Sequence, residues 1–192
     1  MTNTSHQSRL SKGQIDSVIK LYSNGEYQEA INQIKVLNQN YPNVPFLFNL
    51  IGACYKALGQ LEASVKMFKT AVNIKPDYTE SHKNLGITLK ELGRYNDAVE
   101  SLERAIDIDP NYIEAHYNLG YSYHMIGQLD LAVRSYKKVV KIDPSYAFKH
   151  SNKILSVIYF FIEVIKSNLL NADDLIGYNE DTSNKPKVKN HD

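Results

Sequence analysis

Small and apolar side chains recur four and then three residues apart along this chain. The sets are Ala30, Ile34 and Leu37; Ser64, Phe68 and Ala71; Ala98, Leu102 and Ala105; and Ala132, Tyr136 and Val139. Residues spaced this way share one face of an α-helix, which turns once every 3.6 residues. A second pattern precedes the later sets: Ile51-Gly52 with Tyr55, Leu85-Gly86 with Leu89, and Leu119-Gly120 with Tyr123. Ahead of the first set the matching positions hold Ser17-Val18 and Leu21. Helix pairs are therefore predicted at 12–23 with 27–40, 45–58 with 61–74, 79–92 with 95–108, and 113–126 with 129–142. Glycines at 25, 59, 93 and 127 fall in the turn inside each pair, and prolines at 42, 76, 110 and 144 close each pair.

Both punctuation series repeat every 34 residues, and the triplets between them keep the same register. A period of 34 with paired helices is the pattern of tetratricopeptide repeats, and the segment from about 11 to 146 resembles such an array. The resemblance implies an all-α fold, an α-α superhelix of four helix-turn-helix repeats (11–44, 45–78, 79–112 and 113–146). Residues 1–10 are expected to be a flexible start, 147–172 an apolar capping helix, and 173–192 a disordered tail. Gly52, Gly86 and Gly120 are expected to leave room for close approach of the second helix, Ala30, Ala98 and Ala132 to do the reciprocal job, and Phe68, Leu102 and Tyr136 to fill the space between adjacent repeats. The first repeat departs most from the pattern, as an edge repeat with one face in water can.

Charge narrows the partners. Lys and Arg number 22 against 21 Asp and Glu, so the basic excess that phosphate contacts demand is missing and no nucleic-acid partner is expected. Met1 to Leu10 hold no secretory-type apolar stretch, and Cys54 is the single cysteine, which excludes an internal disulfide. A cytoplasmic protein is expected.

In arrays of this kind the first helices line a concave face, and the residue before the Leu-Gly pair points into it. Those residues here are Asp16, Leu50, Asn84 and Asn118. His82-Lys83-Asn84-Leu85-Gly86 and His116-Tyr117-Asn118-Leu119-Gly120 resemble the arrays of O-linked N-acetylglucosamine transferases. The resemblance implies an asparagine ladder that holds an extended peptide backbone, a task suited to a side chain with both donor and acceptor. Lys83, Lys90, Tyr117, Tyr121 and His124 are expected on the same side, and Asn49 lies one position off the ladder. The expected function is a non-catalytic scaffold or adaptor for a protein or peptide partner. The alternative is a recruiting module for a transferase carried by a separate chain. The Lys and Asn clamp of arrays that hold chaperone carboxyl termini is missing, since Ile15 and Ile19 stand in its place.

His82, His116 and His150 also repeat every 34 residues, but neighbouring repeats lie about 8–10 Å apart, too far for ligands of one metal ion. They take the packing position where the pattern has Trp. Neither a metal, a cofactor nor a catalytic set is expected, because the glycines are isolated and the acids cluster only at helix ends. The run from Ile154 to Ile165 is apolar nearly all round yet too short to span a bilayer. It reads as a covered cap, a surface for self-association or partner docking, or a membrane-surface segment, with cap plus association favoured over membrane contact.

Overall fold

A computed structural model describes residues 10–151 and residue 154. Among these the backbone forms helices joined by short turns: α1 (Lys12–Ser23), α2 (Tyr27–Asn40), α3 (Pro45–Ala57), α4 (Leu61–Ile74), α5 (Thr79–Glu91), α6 (Tyr95–Ile108), α7 (Ile113–Met125), α8 (Leu129–Ile142) and α9 (Pro144–Lys149). Each odd-numbered helix packs on the even one after it, and each even one packs on the next odd one. In addition α3 touches α5, and α5 touches α7, so the first helices of successive repeats lie side by side.

The ends of these helices follow from local chemistry. At the start of α1, the Ser11 hydroxyl accepts from the Gln14 amide while Gln14 Oε1 accepts from the Ser11 amide at 2.8 Å, a reciprocal cap. Helix α5 stops at Glu91, one residue short of the expected 92, because Gly93 turns left-handed at φ +74°. That turn lets the Arg94 amide reach the Leu89 carbonyl at 2.9 Å and the Gly93 amide reach Lys90 at 3.0 Å, which satisfies carbonyls the helix leaves open. Helices α3 and α7 end one residue early in the same way, at Ala57 and Met125.

Helix α9 begins at Pro144 rather than at Ala147. Proline suits a first helical position, since its missing N–H would have had no partner there. The Asp143 carboxylate caps the start by accepting from the Ser145 and Tyr146 amides at 2.8 and 3.2 Å. Ile154 is buried and belongs to the same apolar cluster as Tyr136, Val139 and Ala147. Apart from Ile154, the apolar run to Ile165 and the tail from 173 lie outside the described residues.

Packing explains the small residues. A methyl group on Gly52 would sit 2.7 Å from the Phe68 ring, and one on Gly120 would sit 2.9 Å from the Tyr136 ring. Phe68, Leu102 and Tyr136 are fully buried there. The first repeat makes the opposite trade: Val18 replaces the glycine and Ile34, smaller than Phe, replaces the knob, and both are fully buried. Val18 and Ile34 share a cluster with Leu47 and Ile51, while a longer cluster runs from Val65 to Ile154. Stability is thus shared between neighbouring hairpins rather than held in one central core.

Candidate functional site on the concave face

Helices α3, α5 and α7 are the first helices of successive repeats and lie side by side. Across α3 and α5 lies an open cleft of about 490 Å³, lined by Asn49, Ala53, Lys56, Lys83, Asn84 and Glu91 among others, with Tyr22 of α1 at one wall. Polar side chains in it are bonded across repeats. Asn49 Oδ1 accepts from the Ser81 hydroxyl at 2.8 Å and from Asn84 Nδ2 at 3.2 Å. Lys56 pairs with Glu91 at 2.9 Å.

Glu80 is the hub of the floor. It pairs with Lys83 at 2.8 Å, accepts from Asn84 Nδ2 at 3.3 Å, and accepts from the Tyr112 hydroxyl of the next repeat. Burial would raise the Glu80 carboxyl, but hydrogen bonds from Lys83, Tyr112 and Asn84 and the Lys83 charge outweigh it and hold the group below its usual 4.5. Burial, then the bond to Glu80, pushes the Tyr112 phenol up. Lys83 also reaches Glu114 at 3.4 Å, and its side chain is only 12% exposed.

The expected site residues therefore separate into two groups. Asn49, Lys83 and Asn84 come together in the cleft. Asn118, one repeat on, is 7% exposed and engaged at both ends of its amide: Nδ2 donates to the Glu114 carbonyl at 2.7 Å, and Oδ1 accepts from Lys90 Nζ at 2.7 Å. Lys90 Nζ also stands 5.3 Å from the Tyr121 ring centre. Tyr117 packs among Tyr136, Tyr146 and His150, with centroids 5.9, 5.9 and 4.9 Å away. His124 is half-buried in the last turn of α7, where its carbonyl accepts from Gly127 at 3.0 Å.

Sequence reasoning missed Glu80, Glu114, Lys56 and Glu91. A signal for the first two was present. Glu80 precedes Lys83 and Asn84 by three and four residues, one face of a helix, and Glu114 stands 34 residues further on. His82 and His116 sit at the packing position. Their Nε2 atoms lie 2.9 and 3.0 Å from the carbonyls of Pro76 and Pro110, which tie each first helix to the end of the preceding repeat. Burial lowers both imidazoles. Cys54 is buried, and burial pushes its thiol up to about 11, the reverse of what a nucleophile needs. Among the described residues no cluster of His, Cys, Asp and Glu could hold a metal ion, and no helix is long and apolar enough to cross a membrane.

Family models for the TPR repeat match residues 52–93 and 88–127, and one for the tetratricopeptide repeat matches 113–146. These are tetratricopeptide repeats. Such repeats generally act as protein-interaction scaffolds. The described part of the chain is a TPR solenoid. A stretch of 56 residues is 32% identical to anaphase-promoting complex subunit 3 of Dictyostelium discoideum, covering 29% of this chain and 6% of that protein. Among solved structures, MamA 41-end from Desulfovibrio magneticus RS-1 is similar with a TM-score of 0.66 and 20% identity, over 81% of this chain and 93% of that one. A thermophilic TPR protein of Thermus thermophilus follows at 0.61 and 22%, over 74% and 78%. At these identities the structural likeness establishes the solenoid fold alone.

Proposed function

We propose that the chain is a non-catalytic scaffold that binds an extended protein segment along its concave face. The observation that carries this is the open cleft over α3 and α5, with Asn49 and Asn84 in its floor between the Lys56–Glu91 and Lys83–Glu80 pairs. Its volume of about 490 Å³ falls within the range of ordinary ligand sites, roughly 300–1,000 Å³. Amide side chains suit a peptide backbone because each offers donors and an acceptor. The binding stretch centres on the second and third repeats, since a peptide reaching Asn118 must first displace Lys90. The asparagine ladder that the transferase-type arrays suggest is thus shifted here, with Asn49 and Asn84 as the working pair. A recruiting role beside a separate transferase chain has no observation of its own behind it.

Peptides selected from a random displayed library against the full chain provide the test. Two lost neutral hydrogen bonds at about 0.5–1.5 kcal/mol each predict that Asn49→Ala/Asn84→Ala weakens a selected peptide roughly five- to 150-fold by calorimetry. The outer-face control Lys66→Ala should leave affinity unchanged. Peptides that ignore the double variant and lose affinity with the control would refute concave binding.

A further inference from the structure

The outer face carries a charge pattern that the repeat itself does not require. A second cleft of about 420 Å³ lies between α6 and α8, with α7 as its floor. Glu103 and Asp107 stand on its α6 wall, Arg134 and Lys138 on its α8 wall, and Ile106 and Leu131 are among the apolar residues between them. Helix α6 is acidic throughout, with Asp97, Glu100, Glu103 and Asp107 against Arg104. Helix α8 is basic, with Arg134, Lys137, Lys138 and Lys141 against Asp130.

Repeat-equivalent positions lie at the same height along these parallel helices. Counting 34 residues on, Glu100 is level with Arg134, Glu103 with Lys137, and Asp107 with Lys141. All these side chains are exposed and these three level pairs have opposite charge, while Arg104 is level with Lys138, one pair of like charge. Among the described residues no ion pair joins α6 to α8: Asp107 pairs with Arg104 of its own helix at 3.8 Å, and Glu103 accepts from Tyr123 of the floor. The two walls do not neutralise each other.

We infer that this face is where two copies of the chain associate. The two-fold axis runs along the cleft, so that α6 of each copy lies over α8 of the other. Rotation about that axis exchanges the walls and keeps every residue at its height, so each of the three opposite-charge pairs becomes a contact between copies and occurs twice, against the single like-charge level pair of Arg104 and Lys138. A partner of a single charge sign would be drawn to one wall and repelled by the other, whereas this surface complements itself. Two helices of 14 residues, each about 21 Å long, present roughly 400 Å² per copy. That is below the standard interface, so the association is weak and reversible. Exposed ion pairs also make it sensitive to salt.

Sedimentation equilibrium of the full chain tests this. The wild type should dimerise reversibly, with Kd rising about tenfold or more between roughly 50 and 300 mM salt. Glu100→Lys/Asp107→Lys makes both walls basic, and Arg134→Glu/Lys141→Glu makes the α8 wall acidic like its neighbour. Neither touches Glu103, which holds the floor tyrosine, and circular dichroism checks the fold of each. Each variant alone should stay monomeric, and an equimolar mixture should recover heterodimers because the three level pairs are again between opposite charges. A wild type that is monomeric at low salt, association unchanged in both variants, or a mixture that remains monomeric would each overturn the inference.

Discussion

Consider Gly86→Ala on α5. A methyl group there would lie 2.5 Å from Leu102 Cγ, 2.9 Å from Leu102 Cδ2 and 3.2 Å from the Ala98 carbonyl oxygen. Carbon atoms in contact prefer about 3.5–4.0 Å, so the overlap with Leu102 is close to 1 Å. Leu102 is fully buried, and the Ala98 oxygen belongs to backbone, so neither can yield without moving α6 against α5. Such overpacking costs about 1–3 kcal/mol. Alanine in place of glycine regains up to about 1 kcal/mol through helix propensity and the unfolded chain. Gly13, near the start of α1, isolates the second effect because a methyl group there meets nothing within 4 Å among the described residues. Gly13→Ala should stabilise by up to about 1 kcal/mol, so the difference between the two variants approximates the packing cost. Urea denaturation followed by far-ultraviolet circular dichroism measures both, at constant slope. A further arm uses Leu102→Ala, which alone should cost about 2–5 kcal/mol. In the Gly86→Ala background it should cost less, because the new methyl fills part of the space and its clash is gone. Equal stability of Gly86→Ala and Gly13→Ala, or strict additivity with Leu102→Ala, would refute a steric role for the glycine.

Two further outcomes follow from the same core. Among the described residues the buried Ser64 and Tyr136 hydroxyls find no hydrogen-bond partner, so Ser64→Ala and Tyr136→Phe should each stabilise by about 1 kcal/mol, read as a higher urea midpoint. Stability should also fall as pH drops below 6.5, because burial lowers the His82 and His116 imidazoles and the unfolded chain then takes up protons that the fold refuses. His82→Gln/His116→Gln should flatten that limb of the stability profile. Glu80, held below 4.5, contributes stability that is present above 4.5 and lost at lower pH, so its loss is separated from that of the histidines.

The repeat was legible because its marks are sterically specific. Only glycine accepts the turn at Gly93 without strain, and only a very small residue fits at 86, so chemistry of single positions reports the backbone directly. The start of α9 was not legible in the same way. Pro144 matches earlier prolines in sequence, but Pro110 falls after the end of α6 at Ile108, whereas Pro144 opens a helix directly after the Asp143 cap. A proline marks a boundary without saying on which side the helix lies.

The candidate site shows a different limit. Asn84 and Asn118 occupy equivalent positions, yet one lines an open cleft while the other is closed off by Lys90 and the Glu114 carbonyl. What differs is the lysine near the end of the preceding first helix: Lys90 of the third repeat extends to Asn118, whereas its counterpart Lys56 turns to Glu91 and leaves Asn84 to Asn49 and Glu80. The residue at 91 decides this. A carboxylate there captures the lysine of the preceding repeat, while Met125, the equivalent one repeat later, offers no charge and leaves Lys90 to the amide. A helical repeat thus fixes where a side chain starts, and the charges one repeat away fix what it can still bind.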